Sequence, residues 1–252
     1  MQAILLNIRH GGGRRAQSIL EWLARRSPDV IALPEWRNNA PGAVLKAGLE
    51  SRGFQTATAT ATTNGDNGVL FAAKSPFASS CVTPLDARLG RPFSAREGRG
   101  GALLIADFGD LRILSAYFPG GKLKAAFFEI CTAQVEASTV PFVLIGDINT
   151  GRSDVDVEGT GTPFDCVAEF EALPLVDLWR AQHGDTAQEW SWRSPPSPKR
   201  RSNGFRIDHA FANAAFRKKF SNIRCFYDHS PREMSITDHS ALVLSASETE
   251  IG

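Results

Sequence analysis

Along the chain, short apolar runs alternate with stretches whose apolar residues recur every three or four positions, the order expected of an α/β protein. AILLN (3–7) reads as a strand, and RRAQSILEWLARR (14–26) puts Ile19, Trp22 and Leu23 on one helical face before Pro28 closes the segment. DVIALPE (29–35) returns as a strand, so a right-handed βαβ crossover is predicted. Its two strands run parallel and carry Asn7 and Glu35 to the same sheet edge. GAVLKAGLESRG (42–53) predicts a second helix, stopped by Gly53. NGVLFAAK (67–74), GGALLIADF (100–108) and LRILSAYF (111–118) predict a meander of consecutive strands, the last two joined by a hairpin through Gly109 and Asp110. KLKAAFFEICTAQVEAS (122–138) spaces Leu123, Phe127, Cys131 and Val135 as a helix stripe and leads into the apolar run of PFVLIGDINTG (141–151).

Beyond Gly151, the polar, glycine-rich GRSDVDVEGTGTPF (151–164) predicts a surface loop. WSWRSPPSPKRRSNGFRIDHAF (190–211) predicts two short aromatic strands split by a proline-rich basic loop, and ITDHSALVLSA (236–246) a final strand with a frayed tail after it. No break reads as an interdomain linker, so residues 1–252 are expected to form one domain.

Composition narrows the function classes. Lys plus Arg number 28 against 27 Asp plus Glu, a formal charge of +1, so attraction to a polyanion has to come from local clusters. The four cysteines, Cys81, Cys131, Cys166 and Cys225, lie far apart and suggest neither zinc spacing nor a disulfide framework. No signal-peptide pattern opens the chain and no window approaches the roughly 18 apolar residues of a membrane span, which together predict a cytoplasmic enzyme.

Polar residues recur where apolar strands end. In an extended chain Asp147 and Asn149 face the same side, an acid beside an amide, suited to orienting water and holding a phosphate oxygen. The same GDINTG letters also describe a plain turn. Glu35, ending VIALPE, is either the first solvated residue of a loop or a magnesium ligand, with Asp238 as a second carboxylate. Asp208 lies within the apolar FRIDHAF, where a carboxylate needs a partner, and an imidazole both satisfies it and is oriented by it. That reading pairs Asp208 with His239; His209, the next residue along the strand, points away.

In order, Asn7, Glu35, Tyr117 in SAYFPGG, GDINTG, WSW…NGFRIDHAF and TDHSAL resemble the endonuclease/exonuclease/phosphatase superfamily with the DNase I-like fold, most closely its exodeoxyribonuclease III and AP endonuclease branch. The resemblance implies a four-layered α/β sandwich, two mixed sheets packed face to face with helices outside. It implies phosphodiester cleavage with Mg²⁺, Mn²⁺ being the substitute, by a monomer acting on nucleic acid, DNA in preference to RNA, and not on a membrane. By position, Glu35 would bind the metal with Asn7 beside it and Asp238 in the outer shell. Tyr117 would contact phosphate or water, Asp147 activate water, Asn149 hold phosphate oxygen, and Asp208 orient His239 toward the phosphorus. Trp190, Trp192, Phe205 and Ile207 fall where relatives line a pocket for a base-less sugar, though aromatics alternating along strands are also core-forming. Arg99 in RPFSAREGRGG and the run Lys199, Arg200, Arg201 offer phosphate contacts. The same site could serve a phosphoinositide, sphingomyelin or small nucleotide. Three positions depart from the branch: NIRHGGGRR inserts Arg9, His10 and three glycines, Pro34 precedes Glu35, and Gly120 stands where an Asn follows YFP.

Overall fold

Period-two alternation in the strands builds three layers of apolar contact. The computed structural model describes residues 1–60, 66–82, 100–159, 163–196 and 201–249, and the backbone of 85–86 and 91–92. One sheet contains β1 (Gln2–Leu5), β2 (Val30–Trp36), β3 (Gln55–Thr60), β4 (Gly68–Ala73), β15 (Phe220–Asp228) and β16 (Ala241–Glu248), in the order β15-β16-β1-β2-β4-β3. The second contains β5 (Ala78–Cys81), β8 (Ala102–Asp107), β9 (Arg112–Tyr117), β10 (Phe142–Asp147), β11 (Val176–Asp177) and β14 (Asp208–Ala212), in the order β11-β14-β10-β9-β8-β5. Two-residue strands form the small ribbons β6 (Leu85–Asp86) with β7 (Arg91–Pro92), and β12 (Trp192–Arg193) with β13 (Gly204–Phe205).

Ala3, Leu5, Val30, Ala32, Val143, Ile145, Ala210 and Leu244 meet between the sheets. Their neighbours one residue on, such as Ile4, Ile31 and Val243, face α1 (Ala16–Ala24) and α2 (Ala40–Glu50), which bury Ile19, Trp22, Leu23, Leu45 and Leu49 against the first sheet. Phe142, Leu144 and Phe211 face α3 (Lys124–Glu136) and α4 (Val167–Glu171) on the other side. The result is the four-layered sandwich, both sheets mixed, with α5 (Leu178–His183), α6 (Ala214–Lys219) and α7 (Ser230–Glu233) at the margins. The parallel β1–β2 pair, the hairpin at Gly109 (φ +88°) and the Phe127, Cys131, Val135 stripe all match the sequence pattern.

Four expectations need correction. The three strands read as one meander are divided: β4 pairs with β2 and β3, whereas β8 and β9 lie in the other sheet, which the chain reaches through β5. Residues 151–159 are not a solvated loop, because Val155, Asp156 and Val157 are buried and Arg206 and Arg180 reach Asp156. The final strand begins at Ala241, after Asp238 and His239, and its partner β15 was not anticipated because FSNIRCFYD carries polar residues at its exposed edge positions. Asp208 opens β14 instead of sitting mid-strand.

Candidate active site

The alternation that fills the core also aims the polar residues. Val143 and Ile145 point between the sheets, so Asp147 at the end of β10 points there too; Ile113 fixes the phase of Tyr117 on β9, and Ala210 that of Asp208 on β14. Asp147 stands directly opposite Asp208 in the antiparallel register and beside Tyr117 in the parallel one. Gly146 permits this close packing, since a Cβ there would meet the Ala116 carbonyl at 2.3 Å. In the facing sheet, Ala3 and Leu5 set the phase for Asn7. Glu35 is out of phase with Val30 and Ala32, and a bulge between Pro34 and Trp36, with Glu35 itself at φ +61°, turns it to the common edge. Bulges re-aim side chains in this way.

At that edge Asn7 Nδ2 donates to Asp147 Oδ2 at 2.7 Å and to Glu35 Oε1 at 3.2 Å, while its Oδ1 accepts from Arg9 N–H. In this orientation Asn7 links the two carboxylates and its amide oxygen is engaged by the backbone. His239 Nδ1 lies 2.7 Å from Asp208 Oδ2, and Asp208 Oδ1 is buried with no hydrogen-bond partner among the described residues. One donor atom from each of Asp147, Asp208 and His239 lies within 4.8 Å of the others. His209 turns the other way and bonds the Thr150 carbonyl at 2.9 Å.

The electrostatics follow from burying an excess of negative charge. Burial pushes the Asp147 carboxyl up, the Asp208 and Glu35 charges push further, and it reaches about 8. Burial works against protonating His239, but the carboxylates of Asp208, Asp147 and Asp238 outweigh it and raise the imidazole to about 9. Burial would likewise raise Glu35, yet hydrogen bonds from the His10 side chain and backbone hold it down at about 2. Burial, with Glu35 and Asp147 nearby, raises the Tyr117 phenol, which stays neutral and accepts from Asn67 Nδ2.

A pocket of about 240 Å³ opens over this cluster, lined by Glu35, Asp147, Asn149, Trp192, Ile207 and His239, with Arg9, His10 and Asp238 at its mouth. Asn149 is not extended. At φ +53° it makes a turn, its N–H bonding Asp147 Oδ1 and its Nδ2 the Phe118 carbonyl, so the turn and the polar pair coexist. Asp238 accepts from Trp192 Nε1 at 3.3 Å and lies 3.6 Å from Arg9 Nε. Trp192 and Ile207 reach the pocket; Phe205 packs behind Trp192, and Trp190 covers Gly204 outside the lining. Arg201 is exposed and lines no part of the pocket, while Arg99, Lys199 and Arg200 lie outside the described residues. Sequence reasoning did not assign Ser191, whose Oγ accepts from the Ile207 and Asp208 N–H groups at 3.1 Å and fixes the start of β14. A buried serine between two tryptophans was its only signal.

Two mixed sheets face to face, with carboxylates and an imidazole at their shared edge, define a hydrolase of the DNase I-like class. The chain belongs to the Endonuclease/Exonuclease/phosphatase family, whose pattern matches residues 4–239. Its fold is similar to that of the 3′-5′ exonuclease NExo from Neisseria meningitidis, at 18% identity and TM-score 0.75, covering 98% of this chain and 100% of that one. It is similar to an AP endonuclease from Archaeoglobus fulgidus at 19% identity and TM-score 0.73, covering 98% and 99%. Truncated TDP2 from Caenorhabditis elegans matches at 12% identity and TM-score 0.66, covering 97% and 96%. Among the described residues no helix is long and apolar enough to cross a membrane.

Proposed function

We propose that the protein is a Mg²⁺-dependent phosphodiesterase that hydrolyses the backbone of nucleic acid, DNA before RNA. The observation that carries this reading is the facing pair Asp147 and Asp208 with His239, three buried groups within 4.8 Å of one another, of which Asp147 and His239 line an open pocket and Asp208 lies behind His239. Two acids facing each other keep the Asp147 carboxyl raised to about 8, and a cation bound beside it would let it ionise and act as a base. The donor set fits one: Glu35 is ionised, Asp208 Oδ1 is unpartnered, and hard divalent cations take one or two carboxylates. Glu35 and the Asp147 side of the cluster would hold it, with Asp238 in reach of its outer shell. When bound, the cation supplies charge stabilisation at the phosphoryl oxygens.

The remaining roles belong to the chain's own groups. Asp147 takes the proton of the attacking water as the new P–O bond forms, and Asn7 holds its Oδ2 in place. His239, kept protonated and oriented by Asp208, offers Nε2–H to a phosphate oxygen as negative charge grows there and the bond to the leaving oxygen breaks, that oxygen taking a proton from solvent as Asp147 returns its own to solvent. The second N–H of Asn149 Nδ2, the first being used by Phe118, can bond a nonbridging oxygen. Trp192 gives the pocket an apolar wall for a sugar or base. The likeness of the fold to an exonuclease and an AP endonuclease supports this class of substrate. The test is incubation with labelled duplex, AP-site duplex, single-stranded DNA, RNA and a phosphomonoester, with Mg²⁺ or EDTA. DNA is expected to be consumed only with metal. Turnover of the monoester alone, or equal rates in EDTA, would remove the reading.

A further inference from the structure

The net charge of the chain is nearly zero, yet arginines gather beside the pocket. A groove of about 370 Å³ joins it, sharing Arg9 and Asp238, and is lined by Arg9, Arg15, Arg193 and Arg232 against the single carboxylate of Asp238. Two of these guanidiniums are fixed by neutral acceptors. Arg15 donates to the carbonyls of Ile236 (2.6 Å), Arg9 (2.8 Å) and Ile8 (3.1 Å). Arg232 donates to the Trp190 carbonyl at 3.1 Å, with His229 Nδ1 at 3.3 Å. Carbonyls orient a guanidinium without cancelling its charge, and each group keeps further N–H donors. Two carboxylates pair with the four: Glu158 lies 2.8 Å from Arg193, and Asp238 3.6 Å from Arg9.

The groove therefore crowds like charges. Burial and then Arg9 work against the charge on Arg15, and burial and then Arg193 against that on Arg232. Arg180 and Arg206 bond carboxylates directly, whereas Arg15 and Arg232 bond neutral acceptors and feel Asp238 and Glu189 only as nearby charges. The loop that carries Arg9 is held in an unusual shape, with Arg9, His10, Gly11, Gly12 and Gly13 all at positive φ, between 50° and 76°. Successive non-glycine residues in that region are unfavourable, and here they place Arg9 where pocket and groove meet. Ser194, Ser202 and Ser235 add hydroxyls to the walls. Guanidiniums and hydroxyls together are the usual donors to phosphate oxygens.

We propose that this groove grips a phosphodiester of a nucleic-acid strand adjacent to the one being cleaved. The inference rests on the phosphodiesterase reading of the pocket and adds to it a direction, since the strand leaves the pocket past Arg9 toward Arg232. It also adds the first loop and α7 to the expected backbone contacts.

The test is binding of a fluorescent single strand and duplex, by anisotropy in EDTA across a salt series. Arg9→Gln and Arg232→Gln are each expected to weaken binding several-fold and to reduce the slope of log K against log salt by about 0.7–0.9. Arg232→Lys, which keeps the charge, is expected to restore the slope, separating a charge role from the support Arg232 gives to Trp190. Arg217→Gln, on α6 at the far end of β14, controls for net charge. Slopes that stay at the wild-type value, a control that falls with the variants, or no binding by the wild type would each overturn the groove. Turnover of bis(p-nitrophenyl) phosphate is measured separately with Mg²⁺ and Mn²⁺. Its absence in the wild type would sink the hydrolase reading while the salt slopes still judge the groove.

Discussion

Two clusters of buried charge stand on either side of Ile207, and they are built from similar residues to opposite effect. Arg206 reaches inward to Asp156 (2.6 Å) and Asp177 (2.7 Å), and Arg180 reaches Asp156 at 2.5 Å, so two guanidiniums meet two carboxylates. Asp208 and its neighbours set three carboxylates, Glu35, Asp147 and Asp208, against one buried imidazole, His239, with the exposed His10 beside Glu35. The first cluster is closed on itself and locks residues 151–159, α5 and the start of β14 together. The second is short of positive charge: its unpartnered atom is a carboxylate oxygen, Asp208 Oδ1, whereas those of the first are guanidinium nitrogens, Arg180 Nε and Arg206 Nη1. Burial alone does not distinguish a support from a site; the balance of charge does.

The largest test of that contrast is catalytic. His239→Ala and Asp147→Asn are each expected to lower kcat/KM on an oligonucleotide by about 10²–10⁴-fold with folding intact. Near wild-type rates would make the open cluster as inert as the closed one. Next comes stability: Arg206→Met leaves Asp156 with Arg180 alone and Asp177 with only the His209 ring beside it, and should destabilise by about 3–5 kcal/mol in a urea titration. A variant with an unchanged midpoint would show that the closed cluster is not closed.

Smaller, and opposite in sign, is the effect of neutralising a carboxylate. In EDTA above about pH 8, where Asp147 is ionised, Asp147→Asn relieves the repulsion across β10 and β14 and should raise stability by up to about 1 kcal/mol, whereas Asp156→Asn should lower it. Loss of stability in both would erase the comparison. The last test is acid. Burial would raise Asp177, but Arg206 and the His209 ring beside it pull its carboxyl well below the usual range. A depressed carboxylate contributes stability that is fully present above its unfolded pKa, about 3.9, and is lost as pH falls through the folded value. The stability gap between wild type and Asp177→Asn should therefore be widest above about pH 4 and close below it. Asparagine still caps α5, where Asp177 accepts from Arg180 N–H, so the helix survives the change. A gap that persists undiminished in strong acid would remove the charge argument.

Much of the layering was legible in the chain because apolar periodicity is a local property. AILLN, DVIALPE and PFVLIGD each announced a strand, and the polar residues closing them stood out against apolar neighbours. The pairing of Asp208 with His239 could be reasoned from the difficulty of burying a lone acid. What misled was polar sequence that folds inward. SDVDVEG looks like solvent loop until Arg206 and Arg180 supply its charges, and FSNIRCFYD hides a strand because only one of its faces is covered.

By itself the sequence determined which residues face the space between the sheets, since a strand's period of two carries Asn7, Tyr117, Asp147 and Asp208 inward in step with their apolar neighbours. Only the tertiary structure decided which of them meet. Asp147 opposes Asp208 through an antiparallel register set by residues about sixty positions apart, Glu35 enters through a bulge that breaks its own alternation, and the arginines of the groove arrive from three separate segments. Contacts of that range depend on how two sheets stack, and no local pattern encodes the stacking.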